Sequence, residues 1–264
     1  MTLPADGHVH SQFSWDAPRG DMSRTCARAV ELGLPAIAFT EHVELTPWTL
    51  PDGRVKRVRP FDVAGYQAAI GEARERFPNL RVLSGVEFSE PHWHGDELRS
   101  LLANGFDRVL GSVHSRATDD GRFLAVGYEY PDLPAAEMVR GYLAEVARMA
   151  DTGTDFEVVT HVDYPLRYWP ASAGPGEIAA FEPEFREALS AVHRSGRILE
   201  LNTRATFYRD LLGWWRAAGG RAVTFGSDAH EPDALARQFR AAADAASAHG
   251  FRVGGNPVGP WVRE

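Results

Sequence analysis

Short apolar runs alternate with longer amphipathic segments along the whole chain. The short runs have the length of buried strands, and the amphipathic segments have the spacing of helices. This alternation is typical of βα units arranged around a parallel sheet. The pattern predicts eight strands, at residues 2–9, 36–40, 81–87, 108–113, 157–161, 198–202, 222–226 and, more weakly, 252–254.

Capping and helix-breaking residues mark the ends of the predicted helices. The first helix begins at Asp21 and ends before Gly33, and the second begins at Asp62 and ends before Pro78. Later helices are predicted at residues 134–149, 182–194, 207–218 and 232–249. No internal repeat or long linker interrupts this order, so we expect one α/β domain over residues 1–264.

Three stretches rich in Gly and Pro are predicted to be loops, at residues 46–60, 119–133 and 164–178. Each follows a strand end, which is where barrel enzymes keep their substrate loops. Aromatic side chains in such loops either line a substrate pocket or anchor the loops, and both interpretations remain open. The aromatic residues in question are Trp48, Tyr128, Tyr130, Tyr168 and Trp169.

The composition is that of a globular enzyme and argues against several other classes of protein. Of the 264 residues, 44% are hydrophobic and 24% are charged, and the net charge is −8. An acidic protein without a basic face is not expected to bind nucleic acid. The chain has neither an apolar stretch of about 18 residues nor a signal-like N-terminus, so we expect a cytoplasmic protein. The single cysteine, Cys26, is expected to be a buried thiol.

Histidines and carboxylates close most of the predicted strands. The residues at these strand ends are His8, His10, His42, Glu87, His114, His161, Asp228 and His230. Imidazole and carboxylate together suit zinc, manganese or iron. Because the carboxyl ends of barrel strands converge on one face, the pattern predicts a metal site there. A second His-x-His pair, His92 and His94, follows Pro91 and is predicted to lie at a solvated rim.

This set of motifs, in this order, resembles the polymerase-and-histidinol-phosphatase (PHP) superfamily. The segment Glu200-Leu201-Asn202-Thr203 is most similar to the histidinol-phosphatase branch, and the resemblance runs from residue 6 to about 231. It implies a distorted (β/α)7 barrel with a metal centre at the carboxyl ends of the strands. It also implies two or three divalent ions, of manganese, iron or zinc.

The resemblance assigns each ligand to a metal. The first metal would be held by His8, His10, Glu87 and Asp228, the second by Glu87, His114 and His161, and the third by Asp16, His42 and His230. Many relatives have histidine where this chain has Asp16, and an oxygen ligand there favours manganese or iron over zinc. Glu41 is expected to orient His42 as a hydrogen-bond acceptor.

The activity implied is hydrolysis of a small phosphomonoester, L-histidinol phosphate in histidine biosynthesis, by a hydroxide that bridges two metals. Arg167 and Arg204 are expected to bind the phosphate, because a guanidinium group matches two oxygens at once. Asp163, His230 or a metal-bound water would protonate the leaving oxygen, and the sequence does not choose between them.

Two alternatives remain open, and a third is disfavoured. The chain could hydrolyse nucleotides or cyclic phosphodiesters, or it could be a non-catalytic metal-binding module. A metal-dependent amidohydrolase is disfavoured, because such barrels usually use a lysine at the site and the only lysine, Lys56, lies in a loop. Residues 202–205 depart from the Asn-Thr-Ser-Gly sequence common in the family, and the segment from there to Trp214 is expected to set substrate specificity.

Overall fold

The computed structural model describes residues 3–264 and contains one large and one small β-sheet. The strands are β1 (Asp6–Val9), β2 (Ala36–Val43), β3 (Trp48–Thr49), β4 (Val55–Lys56), β5 (Arg81–Ser89), β6 (Arg108–Ser112), β7 (Ser115–Ala117), β8 (Phe123–Ala125), β9 (Val158–Val159), β10 (Ile198–Asn202), β11 (Ala222–Gly226), β12 (Arg252–Val253) and β13 (Trp261–Val262). All eight predicted strands are present, although Thr2 of the first lies outside the described residues.

The large sheet is curled and mostly parallel. Its order is β1-β2-β5-β6-β9-β10-β11, all parallel, followed by the antiparallel β13 and β12. Beyond β11 the chain returns to the first strand, since the backbone N–H of His10 donates to the Ala229 carbonyl at 2.8 Å and that of Asp228 donates to the His8 carbonyl at 2.9 Å. The predicted α/β class is therefore confirmed, with a sheet curled enough to join its first and seventh strands.

Within residues 3–264, seven α-helices connect the strands. They are α1 (Met22–Leu32), α2 (Val63–Arg76), α3 (Gly95–Leu102), α4 (Ala135–Ala150), α5 (Glu182–Arg194), α6 (Tyr208–Ala217) and α7 (Phe239–Ala248). Helix α3 was not predicted, because its eight residues are too few to show a clear helical period. The prediction that the last helix begins at residue 232 is wrong. Ala236 and Gln238 have positive φ angles, of 53° and 58°, which stop a helix from running through them.

Two of the predicted loops pair with each other in the small sheet, whose order is β4-β3-β8-β7. Thr49 of one loop pairs with Leu124 of the other, and Leu124 and Trp48 are buried. Each strand is only two or three residues long, so no alternation of polar and apolar residues could predict it. This sheet joins the chain after β2 to the chain after β6.

Two buried tyrosines attach helices to strands that lead to the carboxyl-end face. Tyr66 of α2 donates to the Phe39 carbonyl at 2.6 Å and accepts from the Gly85 N–H at 2.7 Å, which ties β2 to β5. Tyr142 of α4 donates to the His161 carbonyl at 3.0 Å. Because buried hydroxyls are costly unless they are bonded, these contacts fix the strand ends in position. Within residues 3–264, no helix combines the length and the apolar character needed to cross a bilayer.

Candidate metal centre

The structure brings every predicted ligand to the carboxyl ends of the parallel strands. His8 belongs to β1 and His10 follows it, His42 lies in β2, Glu87 lies in β5, His114 follows β6, His161 follows β9, and Asp228 and His230 follow β11. Their nitrogen and oxygen atoms form three overlapping groups in which all members lie within 4.8 Å of one another: His8, His10 and Glu87; His42, Glu87 and His114; and His10, His42 and His230. These buried clusters are suited to metal binding.

The first group contains two imidazole nitrogens that face each other. His8 Nε2 and His10 Nε2 are 3.0 Å apart, and they lie 3.2 Å and 3.4 Å from Glu87 Oε2. Asp228 Oδ1 lies 3.4 Å from His10 Nε2. Four donor atoms thus converge on one small volume, which is the arrangement a cation requires.

The second group uses the other oxygen of Glu87, and a further histidine, His161, adjoins it. Glu87 Oε1 lies 2.7 Å from His161 Nε2 and 3.4 Å from His114 Nε2. The two oxygens of one buried carboxylate therefore face two different pairs of histidines. A carboxylate in this position can bridge two metal ions.

The third group lies nearest to solvent. Asp16 Oδ2 is 3.2 Å from His230 Nε2 and 3.4 Å from His42 Nε2, and the Asp16 side chain is 28% exposed. The His42 ring stacks on that of His10 with centroids 4.1 Å apart, which places this group beside the first. His42 Nδ1 also lies 3.0 Å from Glu87 Oε2, so His42 stands between the groups.

Hydrogen-bond acceptors fix the orientation of four of the imidazoles. Glu200 Oε1 faces His8 Nδ1 at 2.7 Å, Ser14 Oγ faces His10 Nδ1 at 2.9 Å, Glu44 Oε1 faces His114 Nδ1 at 2.5 Å and the Asp228 carbonyl oxygen faces His230 Nδ1 at 2.9 Å. An acceptor at Nδ1 keeps the proton there and leaves Nε2 bare for a metal. The set of donors therefore fits metal ions in its chemistry as well as in its spacing.

Two members of the cluster, one imidazole and one carboxylate, have pKa shifts that suit metal binding. Burial and the neighbouring His42 and His230 hold the pKa of His10 well below its usual range, so this imidazole is neutral. Although burial alone would raise the pKa of Glu87, the surrounding histidines hold it well below its usual range. The neutral imidazole and the ionised carboxylate are the forms that bind metal.

Two predicted phosphate contacts lie beside Asp228. Arg167 Nη1 is 2.7 Å from Asp228 Oδ2, and the Arg167 side chain is only 7% exposed. Arg204 is exposed and its Nη1 lies 3.6 Å from the same oxygen. Asp163 is buried, with Oδ2 3.6 Å from Arg167 Nε. Within residues 3–264, Nε and Nη2 of Arg167 have no hydrogen-bond partner, so two buried donors remain free for a ligand.

One predicted contact is wrong. Glu41 does not face the ring of His42, because neighbouring residues of a strand point to opposite sides. Its carboxylate accepts hydrogen bonds from the hydroxyls of Ser11 at 2.5 Å and Ser14 at 2.6 Å. Since Ser14 also accepts from the His42 backbone N–H at 3.1 Å and faces His10 Nδ1, Glu41 supports His10 through Ser14.

His92 is also not at a solvated rim. Its side chain is 5% exposed, and its Nε2 lies 2.6 Å from Glu145 Oε1 on α4. His94 Nε2 lies 2.9 Å from Thr46 Oγ1. Both rings contact other elements of the fold, and neither belongs to the three donor groups.

Two carboxylates at the centre were missed as site residues. Glu44 lies two residues after His42, so strand alternation places it on the same side, and this spacing could have revealed it. Glu200 belongs to the segment that carries the family resemblance, but its contact with His8 joins residues far apart in the chain. Only the register between strands brings such partners together, and that register is not visible in one sequence.

Comparisons with known proteins agree with the motifs. A family model described as PHP domain matches residues 6–204. A histidinol-phosphatase of Lactococcus lactis is 26% identical, over 85% of this chain and 83% of that protein. A protein of Deinococcus radiodurans named probable histidinol-phosphatase is 29% identical, over 90% of this chain and 91% of its own length.

A solved structure extends the agreement to the fold. It is the crystal structure of histidinol phosphate phosphatase from Lactococcus lactis, complexed with zinc, L-histidinol and phosphate. It matches with a TM-score of 0.80 at 25% identity and covers 95% of both chains. The resemblance inferred from the strand-end motifs is confirmed.

Proposed function

The chain belongs to the PHP domain family, and from this premise we propose that it is a metal-dependent phosphomonoesterase acting on L-histidinol phosphate or a similar small phosphate ester. The observation that carries the proposal is the position of Glu87, whose two oxygens face His8 and His10 on one side and His114 and His161 on the other. Such a carboxylate would hold two cations close together, and a pair of cations would supply the chemistry used for phosphate ester hydrolysis.

We assign two or three divalent ions to the centre, of manganese, iron or zinc. Their ligands would be His8, His10, Glu87 and Asp228 for the first, Glu87, His114 and His161 for the second, and Asp16, His42 and His230 for the third. Seven parallel strands with helical crossovers support a distorted (β/α)7 barrel with the centre at its carboxyl-end face. When bound, the metals would supply an activated water and neutralise charge on the phosphate.

Charge balance favours a phosphate ester over a neutral substrate. Three divalent ions would bring about six positive charges, while the ligand carboxylates Asp16, Glu87 and Asp228 bring three negative ones. The remaining positive charge suits a phosphate dianion and a hydroxide. An acidic protein can therefore bind an anionic substrate.

The side chains around the centre have separate tasks in this proposal. The free Nε and Nη2 donors of Arg167 would bind phosphate oxygens, and Arg204 would reach the phosphate from the exposed side. Both nitrogens of His230 already face acceptors, Asp16 and the Asp228 carbonyl, which leaves Asp163 or a metal-bound water to protonate the leaving oxygen. Asp163 has a buried oxygen with no hydrogen-bond partner within residues 3–264.

The test combines metal content with substrate range. The protein is purified anaerobically, metals are counted by elemental analysis, and phosphate release is measured from L-histidinol phosphate, nucleotides and cyclic nucleotides. We expect at least two metals per chain and the highest kcat/KM on histidinol phosphate. The variant His114→Ala should lose most activity, and His193→Ala, on α5, serves as its control. Absence of hydrolysis after reconstitution with manganese, iron or zinc would refute the proposal.

A further inference from the structure

We propose that a pocket beside the metal centre binds the organic portion of the phosphate ester, and that it selects a planar or amine-bearing group with positive charge. The cavity has a volume of about 440 Å3, and its aromatic walls come from Tyr128, Tyr130, Tyr168 and Trp169. Ligand sites of this kind typically occupy about 300–1,000 Å3. We call it the aromatic pocket. The inference rests on the proposed phosphatase function and adds to it the chemistry of the leaving group.

The walls of the aromatic pocket are built from segments that are hydrogen-bonded to the backbone of proposed metal ligands or adjoin a residue that is. Val126 lines the pocket, and its backbone N–H donates to the His114 carbonyl at 2.9 Å. On the other side Pro165 lines it, directly after Tyr164, whose N–H donates to the His161 carbonyl at 2.8 Å. A ligand bound in the aromatic pocket is therefore close to His114 and His161.

Aromatic rings also run without a break from the metal centre to the pocket. The Tyr164 ring lies 4.9 Å from the His161 ring and 5.0 Å from the His114 ring, between centroids. The Tyr168 ring, which lines the pocket, lies 5.1 Å from that of Tyr164. Tyr168 is 40% exposed and Tyr128 is 42% exposed, so large ring surfaces are open to a ligand.

The charge in the pocket indicates what it binds. Glu129 lines the cavity and is exposed, and within residues 3–264 it forms no salt bridge. The indole N–H of Trp169 donates to the Gly174 carbonyl at 2.9 Å, which fixes the indole in place. Aromatic faces attract cations, and a carboxylate beside them strengthens that preference. The same carboxylate repels anions, so nucleotides with additional phosphates are disfavoured.

A second cavity has the opposite chemistry. It holds about 320 Å3 and is lined by Arg19, Arg204 and Arg237 together with Asp228 and His230. The centre thus has guanidinium groups on one side and aromatic rings with a carboxylate on the other. This polarity matches a molecule with a phosphate at one end and an amine or imidazole at the other.

The first test compares two substrates in two variants. The variants are Glu129→Gln, which changes an exposed side chain, and Trp169→Ala. The substrates are L-histidinol phosphate and glycerol 3-phosphate, which lacks an amine. We expect KM for histidinol phosphate to rise about threefold in Glu129→Gln and about tenfold or more in Trp169→Ala, as loss of cation–π and carboxylate contacts predicts. KM for glycerol 3-phosphate should stay within about twofold.

The second test does not depend on turnover. Binding of L-histidinol, which has no phosphate, is measured by calorimetry to the intact protein and to both variants. We expect weaker binding in each variant and unchanged binding in the control Val253→Ala, a 51% exposed residue of the edge strand β12. Unchanged histidinol binding in Glu129→Gln and Trp169→Ala, or an equal loss on both substrates, would overturn the proposal. If the wild type hydrolyses no ester, the phosphatase proposal fails. The binding of L-histidinol still tests whether the aromatic pocket binds a positively charged group.

Discussion

Glu200 Oε1 lies 2.7 Å from His8 Nδ1, while Glu200 Oε2 accepts a hydrogen bond from the His161 backbone N–H at 2.9 Å. The amide of Asn202 donates to the same second oxygen at 3.0 Å. One buried carboxylate on β10 therefore orients the proposed ligands from β1 and from the end of β9. Both of its oxygens act as acceptors, which an amide cannot reproduce.

The first prediction is that Glu200→Gln weakens metal binding by about 10–100-fold, the usual cost of losing a partner of a ligating histidine. An amide places an N–H₂ donor either against His8 Nδ1 or against the His161 N–H and the amide of Asn202, so at least one contact becomes repulsive. Metal affinity is measured by competition with a chelator. The control Glu157→Gln removes a partly exposed carboxylate that pairs with Arg108 at 3.0 Å. Equal affinity in both variants would contradict the proposed role.

The second prediction concerns Gly226, at the end of β11. A methyl group on its Cα would meet Glu200 Oε1 and would lie 2.7 Å from His8 Cβ. Gly226→Ala should lower the free energy of unfolding by about 1–3 kcal/mol, because an overpacked site must shift. Gly71→Ala is the control, since Gly71 lies within α2 and its added Cβ has no atom within 4 Å.

Gly71→Ala should stabilise the protein by about 0.5–1 kcal/mol, because glycine is unfavourable inside a helix. Urea unfolding of the two variants measures both effects. If Gly226→Ala is as stable as the wild type, the close approach of β11 to Glu200 and His8 is not as described.

The third prediction follows from burial of Cys26, which raises the pKa of its thiol to about 12. A thiol with a raised pKa favours the folded state below its unfolded pKa, and this contribution is lost as the pH rises toward 12. At pH 8 only about one thiol in ten thousand is ionised, so iodoacetamide should not label the folded protein.

Labelling should become fast once urea unfolds the chain, and Cys26→Ser should remain unlabelled in both states. Mass spectrometry of the intact protein measures the reaction. Labelling of the folded protein at the rate of the unfolded chain would show that the thiol is accessible and its pKa ordinary.

Strand ends were the part of the site that the sequence could predict. Ligands such as His42 and Glu87 lie at the ends of apolar runs. The local alternation of residues therefore predicts which strand carries each ligand and which face of the sheet its side chain occupies. The orienting groups depend on contacts between distant segments: Glu44 meets His114 and Glu200 meets His8. The assumption that Glu41 serves its neighbour His42 failed for the same reason, because its partners are Ser11 and Ser14.

The elements of the fold also differ in whether local sequence can predict them. Strands of the large sheet are long enough to show a pattern, whereas β3 and β8 form only through pairing between two loops. The late start of α7 depends on two residues with positive φ, Ala236 and Gln238, that carry no sequence signal such as glycine. The aromatic residues Tyr168 and Trp169 lie in a predicted loop, where the sequence leaves open whether they line a substrate pocket or anchor the loop. Their position around one cavity favours the pocket.

The fourth prediction is that Arg167→Lys lowers kcat/KM for phosphomonoesters by about 10–150-fold, which corresponds to about 1.5–3 kcal/mol for one hydrogen bond to a charged group. Nη1 of Arg167 donates a hydrogen bond to Asp228, while Nε and Nη2 have no hydrogen-bond partner within residues 3–264. A lysine has a single compact ammonium group and cannot serve Asp228 and a phosphate in the same geometry.

Steady-state kinetics and inhibition by inorganic phosphate provide the measurement. Phosphate should inhibit the variant more weakly than the wild type. Arg186→Lys is the control, because Arg186 is exposed on α5 and pairs with Glu182. Unchanged phosphate inhibition in Arg167→Lys would assign the arginine to Asp228 alone.

The fifth prediction concerns the third donor group. Asp16 Oδ2 lies 3.2 Å from His230 Nε2 and 3.4 Å from His42 Nε2, so Asp16 provides the only oxygen among these three side chains. Oxygen ligands favour manganese and iron relative to zinc, and imidazole shifts the preference toward zinc. Asp16→His should therefore raise the ratio of zinc to manganese retained after reconstitution in equal amounts of both.

The ratio is the informative quantity, because zinc binds most nitrogen-containing sites more tightly than manganese whatever the ligand at residue 16. Elemental analysis after gel filtration measures the ratio and the total metal in the same sample. Asp244→His, on the exposed side of α7, adds a histidine away from the centre and should leave the ratio unchanged. If total metal stays constant in Asp16→His and the ratio does not move, the residue at position 16 does not ligate a metal, and the third group must be completed by another side chain.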